Sequence, residues 1–181
     1  MNKSKQNIIS VRRIKIGEGS LCKRIRLTSL SDSPNAFSTT FENTSRRDLD
    51  SWNEQADSTA VGIDRVTIFA FFNDEPVGIA ALYRDDQNMD SGEVIQFWVD
   101  PAHRAGLVAR KLIEELFSWA MKYDFERLFT WVEKGNERAI RFFRKYGFEL
   151  TNETQTFRSG SDLVSCLMMK EISVKQADEC D

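Results

Sequence analysis

The sequence predicts an α/β domain built on a mixed sheet, and three observations lead there. Apolar residues make up 41% of the 181, with thirteen Phe and four Trp, which is enough to bury a core. Hydrophobic spacing switches repeatedly between a period of two and a period of about 3.6, giving the order β-α-α-β-β-β-α-β-α-β-β. Two apolar strands, Val94–Val99 and Leu128–Val132, are separated by one amphipathic helix, as a parallel crossover requires.

Each element has its own signal. Residues 1–7 are polar and read as a flexible tail. Ile8 to Ile14 reads as the first strand, followed by a glycine-containing break at 17–19. Leu21, Ile25 and Thr28 share a helical face that starts near Ser20, a suitable N-cap, and Pro34 stops it. Leu49, Trp52 and Ala56 mark a second helix, entered after Thr44 and Ser45, with 57–64 expected as a loop. Val66–Phe72 and Val77–Tyr83 are strands joined by the turn Asn73-Asp74-Glu75-Pro76. A polar loop from Asp85 to Gly92 leads into Val94–Val99, which Asp100-Pro101 closes. Leu107, Val108, Leu112, Ile113, Leu116, Phe117 and Ala120 then form a helical stripe. Ala139, Phe142, Phe143 and Tyr146 form another, ended by Gly147 as a C-cap. Strands at Phe148–Thr151 and Leu163–Ile172 follow, and 173–181 reads as a second flexible tail. With no repeat or linker, 8–172 is expected to be one domain.

Charge and residue usage narrow the function. Lys and Arg number 25 against 28 Asp and Glu, a net charge of −3, which argues against nucleic acid or an anionic membrane as partner. The apolar runs fall short of the roughly 18–20 residues that span a bilayer. Cys22, Cys166 and Cys180 are scattered, and His103 is the single histidine. Neither a metal site nor a His-based pair of catalytic groups is therefore expected. Unpaired thiols and an N-terminus without a long apolar segment or cleavage site make a cytoplasmic location the expectation.

The stretch from Val94 to Leu112 carries the chemistry. A strand ends in Asp100-Pro101, and a short loop of Arg104, Ala105 and Gly106 turns directly into a helix. Unpaired amides and the positive end of a helix dipole suit a phosphate or pyrophosphate, and Arg104 and Arg110 add charge. A plain strand–turn–helix with exposed arginines is the other reading. No GxGxxG or GxxxxGK[ST] occurs, which argues against dinucleotide or P-loop binding.

This stretch resembles the acetyl-CoA motif of the GNAT superfamily of N-acetyltransferases, V-x-P-x-x-[RQ]-x-x-G-x-[GA]. Val99, Pro101, Arg104 and Ala109 match it. Downstream, Trp131-Val132, Asn136, Ala139, Phe143 and Gly147-Phe148 resemble the family's V-x-x-x-N-x-x-A-x-x-x-[YF]-x-x-x-G-F segment. The resemblance covers roughly 8–172, including Asp32 to Phe37 and the Trp52 helix. It implies a mostly antiparallel sheet of about six to seven strands with a central splayed parallel pair, flanked by about four helices. It also implies transfer of the acetyl group of acetyl-CoA to a primary amine of a small molecule or peptide, by direct attack. A degenerate domain that binds acyl-CoA as a sensor without turnover is the alternative. The resemblance allows a homodimer.

Carried onto this sequence, the resemblance places the pantetheine arm beside Phe97, Trp98 and Val99. The pyrophosphate falls over Arg104, Ala105, Gly106, Leu107, Val108, Ala109 and Arg110, with Asn136 and Phe143 opposite. Leu107 stands where the family favours Gly; its side chain is expected to turn into the core. Phe143 stands where many relatives carry a Tyr acid, and Phe has no proton to give. Tyr146 is the remaining candidate acid, with core packing as the other reading. Glu93 is the candidate base, against a solvated carboxylate. His103 reads as exposed or cofactor-side, and Arg138, Arg141, Arg144 and Lys145 as a solvated helix face with some reach to phosphate. Acceptor contacts are expected from 30–45 and 84–92, where Asp32, Glu42, Asp85, Asp86 and Asp90 favour a cationic acceptor.

Overall fold

A computed structural model describes residues 8–172. Both expected tails, 1–7 and 173–181, and with them Cys180, lie outside the described residues. The strands are β1 (Ile9–Arg13), β2 (Arg65–Phe72), β3 (Glu75–Arg84), β4 (Ser91–Val99), β5 (Arg127–Glu133), β6 (Glu149–Thr156) and β7 (Val164–Glu171). They form one sheet in the order β1-β2-β3-β4-β5-β7-β6, and every pairing is antiparallel except β4 with β5. The helices are α1 (Gly19–Asp32), α2 (Phe41–Ser45), α3 (Leu49–Val61), α4 (Leu107–Lys122) and α5 (Glu137–Lys145). No helix among the described residues is long and apolar enough to cross a membrane.

The central strands are apolar on both faces because both faces are covered. Val66, Ile68, Ala70, Ala80 and Leu82 pack under Val108, Leu112, Ile113 and Leu116 of α4. Phe69, Phe71, Ile79 and Trp98 pack with Ile25 and Leu30 of α1 and Trp52 and Ala56 of α3. Burying such side chains stabilises by about 1.5–3 kcal/mol each relative to exposure. Gly19 lets α1 meet α3 closely, since a Cβ there would lie 2.8 Å from Asn53 Cα.

Several boundaries differ from the sequence reading, each for a physical reason. Helix α3 runs through most of the expected loop at 57–64, because Thr59 continues the buried face of Trp52 and Ala56 and returns its hydroxyl to Gln55 O at 2.9 Å. Its N-cap is Asp48, whose carboxylate accepts from Ser51 N. Thr44 and Ser45 instead belong to α2, a helix the periodicity did not reveal in five residues; Thr40 caps it. Asn73 and Asp74 both take positive φ, so the turn closes in two residues and Pro76 enters β3 beside a bulge at Ala70/Phe71. Strand β6 reaches Thr156 although its residues are polar, because β7 supplies its ladder from one side.

Candidate active site

The parallel pair creates the site by failing to stay paired. β4 and β5 are in register only from Ser91, Gly92 and Glu93 against Arg127, Leu128 and Phe129. Beyond that point β4 carries a bulge. Ile79 pairs with Trp98 but Ala81 pairs with Ile95, so Gln96 and Phe97 together oppose Ala80. Gln96 takes φ +56°, a left-handed conformation that a non-glycine residue adopts only when its surroundings impose it. The bulge bends β4 away from β5, and a wedge opens between them. Nothing in the hydrophobic pattern announces a bulge, so sequence reasoning missed Gln96.

Two joined clefts fill the wedge, sharing Ala36, Phe37, Phe97, Asn136, Ala139 and Phe143. The larger, about 500 Å³, runs past Phe97, Trp98 and Val99 to Arg104, Ala105 and Gly106, then Ala109 and Arg110 of α4. Arg138, Lys145 and Tyr146 line its other side, and no acidic residue does. Gly106 is the N-cap of α4 and provides no side-chain cap, so the first-turn amides keep free donors at this mouth. Ala105, at φ +62°, turns the loop into the helix. Cationic rim, free amides and an apolar wall fit a long ligand with a phosphate end.

The smaller cleft, about 300 Å³, lies on the other side of Phe97. Glu93, Gln96, Thr130, Arg26 and Thr39 are among the polar residues that line it, and Phe37, Phe143 and Phe157 among the apolar ones. Burial pushes the Glu93 carboxyl up, and the nearby Asp85 adds to the effect. Gln96 Oε1 is buried and receives no hydrogen bond from the described residues. The roof is the 33–40 loop, tied down by Arg158, which donates to Pro34 O and Asn35 Oδ1 at 3.1 Å.

Most of the expected site residues meet here. Phe97, Trp98, Val99, Arg104, Ala105, Gly106, Ala109, Arg110, Asn136, Phe143 and Tyr146 line the larger cleft, and Glu93 lines the smaller. Two do not. Val108 is 1% exposed with its side chain in the core. Leu107 is 53% exposed, so the expected inward turn is not seen: at the first helical position its side chain leaves the core side to Val108. Asn136 caps α5 by accepting from Ala139 N at 3.2 Å. Tyr146 packs on Phe142 with ring centroids 4.9 Å apart. Phe143 sits against Phe97 and Phe148.

The remaining candidates are placed by their neighbours. Arg104 lines the larger cleft, and its guanidinium also donates to the Asp32 carboxylate and to Val99 O. His103 lines neither cleft and packs on Phe72 at 4.8 Å. The basic run on α5 divides, with Arg138 and Lys145 on the larger cleft and Arg141 bound to Glu137 at its exposed side. Residues 84–92 line neither cleft. The acidic residues expected to draw a cationic acceptor are also elsewhere. Asp32 holds Arg104, Glu42 pairs with Arg46, and Asp85, Asp86 and Asp90 lie in the β3–β4 turn. Arg26, Thr39 and Thr130 carry no local motif and were missed.

Comparison with known proteins agrees with this architecture. Residues 28–148 match the model of the acetyltransferase (GNAT) family. Uncharacterized N-acetyltransferases of Mycobacterium tuberculosis and Mycobacterium bovis are 33% identical over 86 residues, which cover 47% of this chain and 53% of theirs. The chain thus spans about half the length of the curated relatives it matches. A GNAT acetyltransferase from Streptococcus pneumoniae shares the fold with a TM-score of 0.79 at 19% identity, over 92% of this chain and 100% of that one. The PaiA N-acetyltransferase from Thermoplasma acidophilum, solved in complex with coenzyme A, has a TM-score of 0.72 at 15% identity, over 91% of this chain and 99% of that one.

Proposed function

Since this chain belongs to the acetyltransferase (GNAT) family, we propose that residues 8–172 act as one domain that moves the acetyl group of acetyl-CoA to a primary amine. The observation that carries the reading is the wedge between β4 and β5, with uncapped helix amides and a cationic rim at one end and a raised-pKa carboxylate at the other. Acetyl-CoA supplies an acetyl group activated as a thioester. The amides of 105–109 and the charges of Arg110, Arg138 and Lys145 hold its phosphate end. Phe97, Ala139 and Phe143 wall the arm and exclude water.

The acceptor enters from the smaller cleft. Its nitrogen forms a bond to the acetyl carbonyl carbon, the carbon–sulfur bond breaks, and coenzyme A leaves as a thiolate, which takes up the second proton given off by the acylated nitrogen. An alkyl ammonium with pKa near 10.4 must first lose a proton, and Glu93 receives it through one water. Burial brings the Glu93 carboxyl closer to the working pH, which makes it a better base than an exposed carboxylate. With Phe at 143, the acid role passes to Tyr146 or is dispensed with, since a thiol near pKa 8.5 leaves readily as thiolate.

The test has two stages. Acetyl-CoA should raise the melting temperature, and coenzyme A should be released when an amine panel is added. Absence of any acetyl-CoA binding overturns the reading. Binding without turnover by any amine marks a domain that holds acyl-CoA without catalysis.

A further inference from the structure

Arg26 lies on the inner face of α1, is 6% exposed, and still lines the smaller cleft. Its guanidinium donates to Thr39 Oγ1 at 2.9 Å and Ser29 Oγ at 3.3 Å, and stands 4.3 Å from the centre of the Phe37 ring. All three partners are neutral. No carboxylate among the described residues is within ion-pair distance of it. Burial pulls its pKa down to about 10, so it stays cationic at neutral pH. Burying a charge without a counter-charge is costly, and a guanidinium has five N–H donors, of which the two hydroxyls use part.

Glu93 lines the same cleft but forms no ion pair with Arg26. Its carboxyl is raised by burial and Asp85, not held down by a guanidinium. The cleft therefore presents a positive group and a basic group at separate positions.

We infer that the acceptor is a small amine that also carries a carboxylate, with Arg26 binding the carboxylate while the amine faces Glu93. The inference rests on the acetyl-transfer reading above. A planar guanidinium matches a carboxylate with two parallel hydrogen bonds. One cation balances one negative charge. A phosphate dianion would leave a second charge uncompensated in a cleft that already holds Glu93. The volume of about 300 Å³ is at the small end for ligand pockets and suits a small acceptor.

The experiment uses the full chain with acetyl-CoA and matched triplets: each common α-amino acid, its primary amide and its decarboxylated amine, with O-phosphoethanolamine alongside. Coenzyme A release should be faster for the carboxylated member of the best triplet by about tenfold or more in kcat/KM. Arg26→Gln should collapse that ratio toward one, and Arg26→Lys should keep part of it. A wild-type preference for amides, plain amines or the phosphate compound overturns the inference, as does a preference that survives Arg26→Gln. If Arg26→Gln does not fold, the wild-type ratios and Arg26→Lys decide. Calorimetry of the same amino acids separates this from the parent reading. Arg26-dependent binding without release overturns acetyl transfer alone. Turnover of uncharged amines only overturns the carboxylate alone, and neither binding nor release overturns both.

Discussion

Thr130 donates its hydroxyl to the carbonyl oxygen of Val94 at 2.9 Å, one step beyond the last paired residues of β4 and β5, Glu93 and Phe129. The side chain thus takes over where the backbone ladder stops, and it marks the apex of the wedge. Thr130 is 5% exposed and Val94 2%, so the carbonyl has little access to water if the hydroxyl is lost. Thr130→Val keeps the shape and removes the donor. It should cost about 1–3 kcal/mol, seen as a melting temperature lower by about 2–12 °C. Thr130→Ser should stay near wild type. Equal melting of all three proteins would show that the bond is incidental.

Glu93→Gln should lower kcat/KM by roughly ten- to a thousandfold with an accepted amine and leave acetyl-CoA affinity nearly unchanged. The lost activity should partly return at high pH, where more free amine exists. Overlaying pH–rate profiles would remove Glu93 from the proton transfer.

The same residue makes a stability prediction of opposite sense. Its folded pKa lies above the ordinary carboxylate value of 4.5 because ionisation must occur in a partly buried site. Raised folded pKa means that stability is fully present below the ordinary value and falls as pH rises through the folded one. Glu93→Gln removes that loss. The variant should be at least as stable as wild type at pH 7, and the gap should close as pH falls below about 4.5. Denaturant titrations at the two pH values measure it.

Asp32 and Arg104 act as a staple between the end of α1 and the loop that opens α4. The Asp32 carboxylate accepts from Trp98 Nε1 at 2.8 Å, from Ser33 and from Arg104. Burial opposes its ionisation, but these donors outweigh it and hold the carboxyl below the usual range. If electrostatics at the phosphates alone mattered, Asp32→Ala would tighten acetyl-CoA binding by removing a negative charge. The staple instead predicts weaker binding, with Arg104→Ala weak as well and the double variant less than additive. Calorimetry of the four proteins decides between the two.

Leu107→Gly should leave acetyl-CoA affinity unchanged or improved. Its side chain is half exposed, so the loss of stability should come mainly from helix propensity, about 0.5–1 kcal/mol. A far weaker binder would show that the leucine itself touches the ligand.

The sequence by itself determined the layered α/β plan, the loop opening α4 and the Gly147 stop. Each depends on short-range rules: alternation along a strand, apolar spacing around a helix, and residues suited to a helix end. Gly147 shows this plainly, since φ +84° is a backbone demand that a single residue type meets cheaply. The tertiary structure decided what faces the clefts. Arg26 looks like any helical arginine until α1 packs over β4 and buries it beside Thr39 and Phe37. That Arg104 also holds Asp32, 72 residues away in the chain, shows only in the fold. The bulge at Gln96 arises from register between strands, which no local pattern encodes. Charges find partners through long-range packing, so a residue's type can be read locally but the group it neutralises cannot.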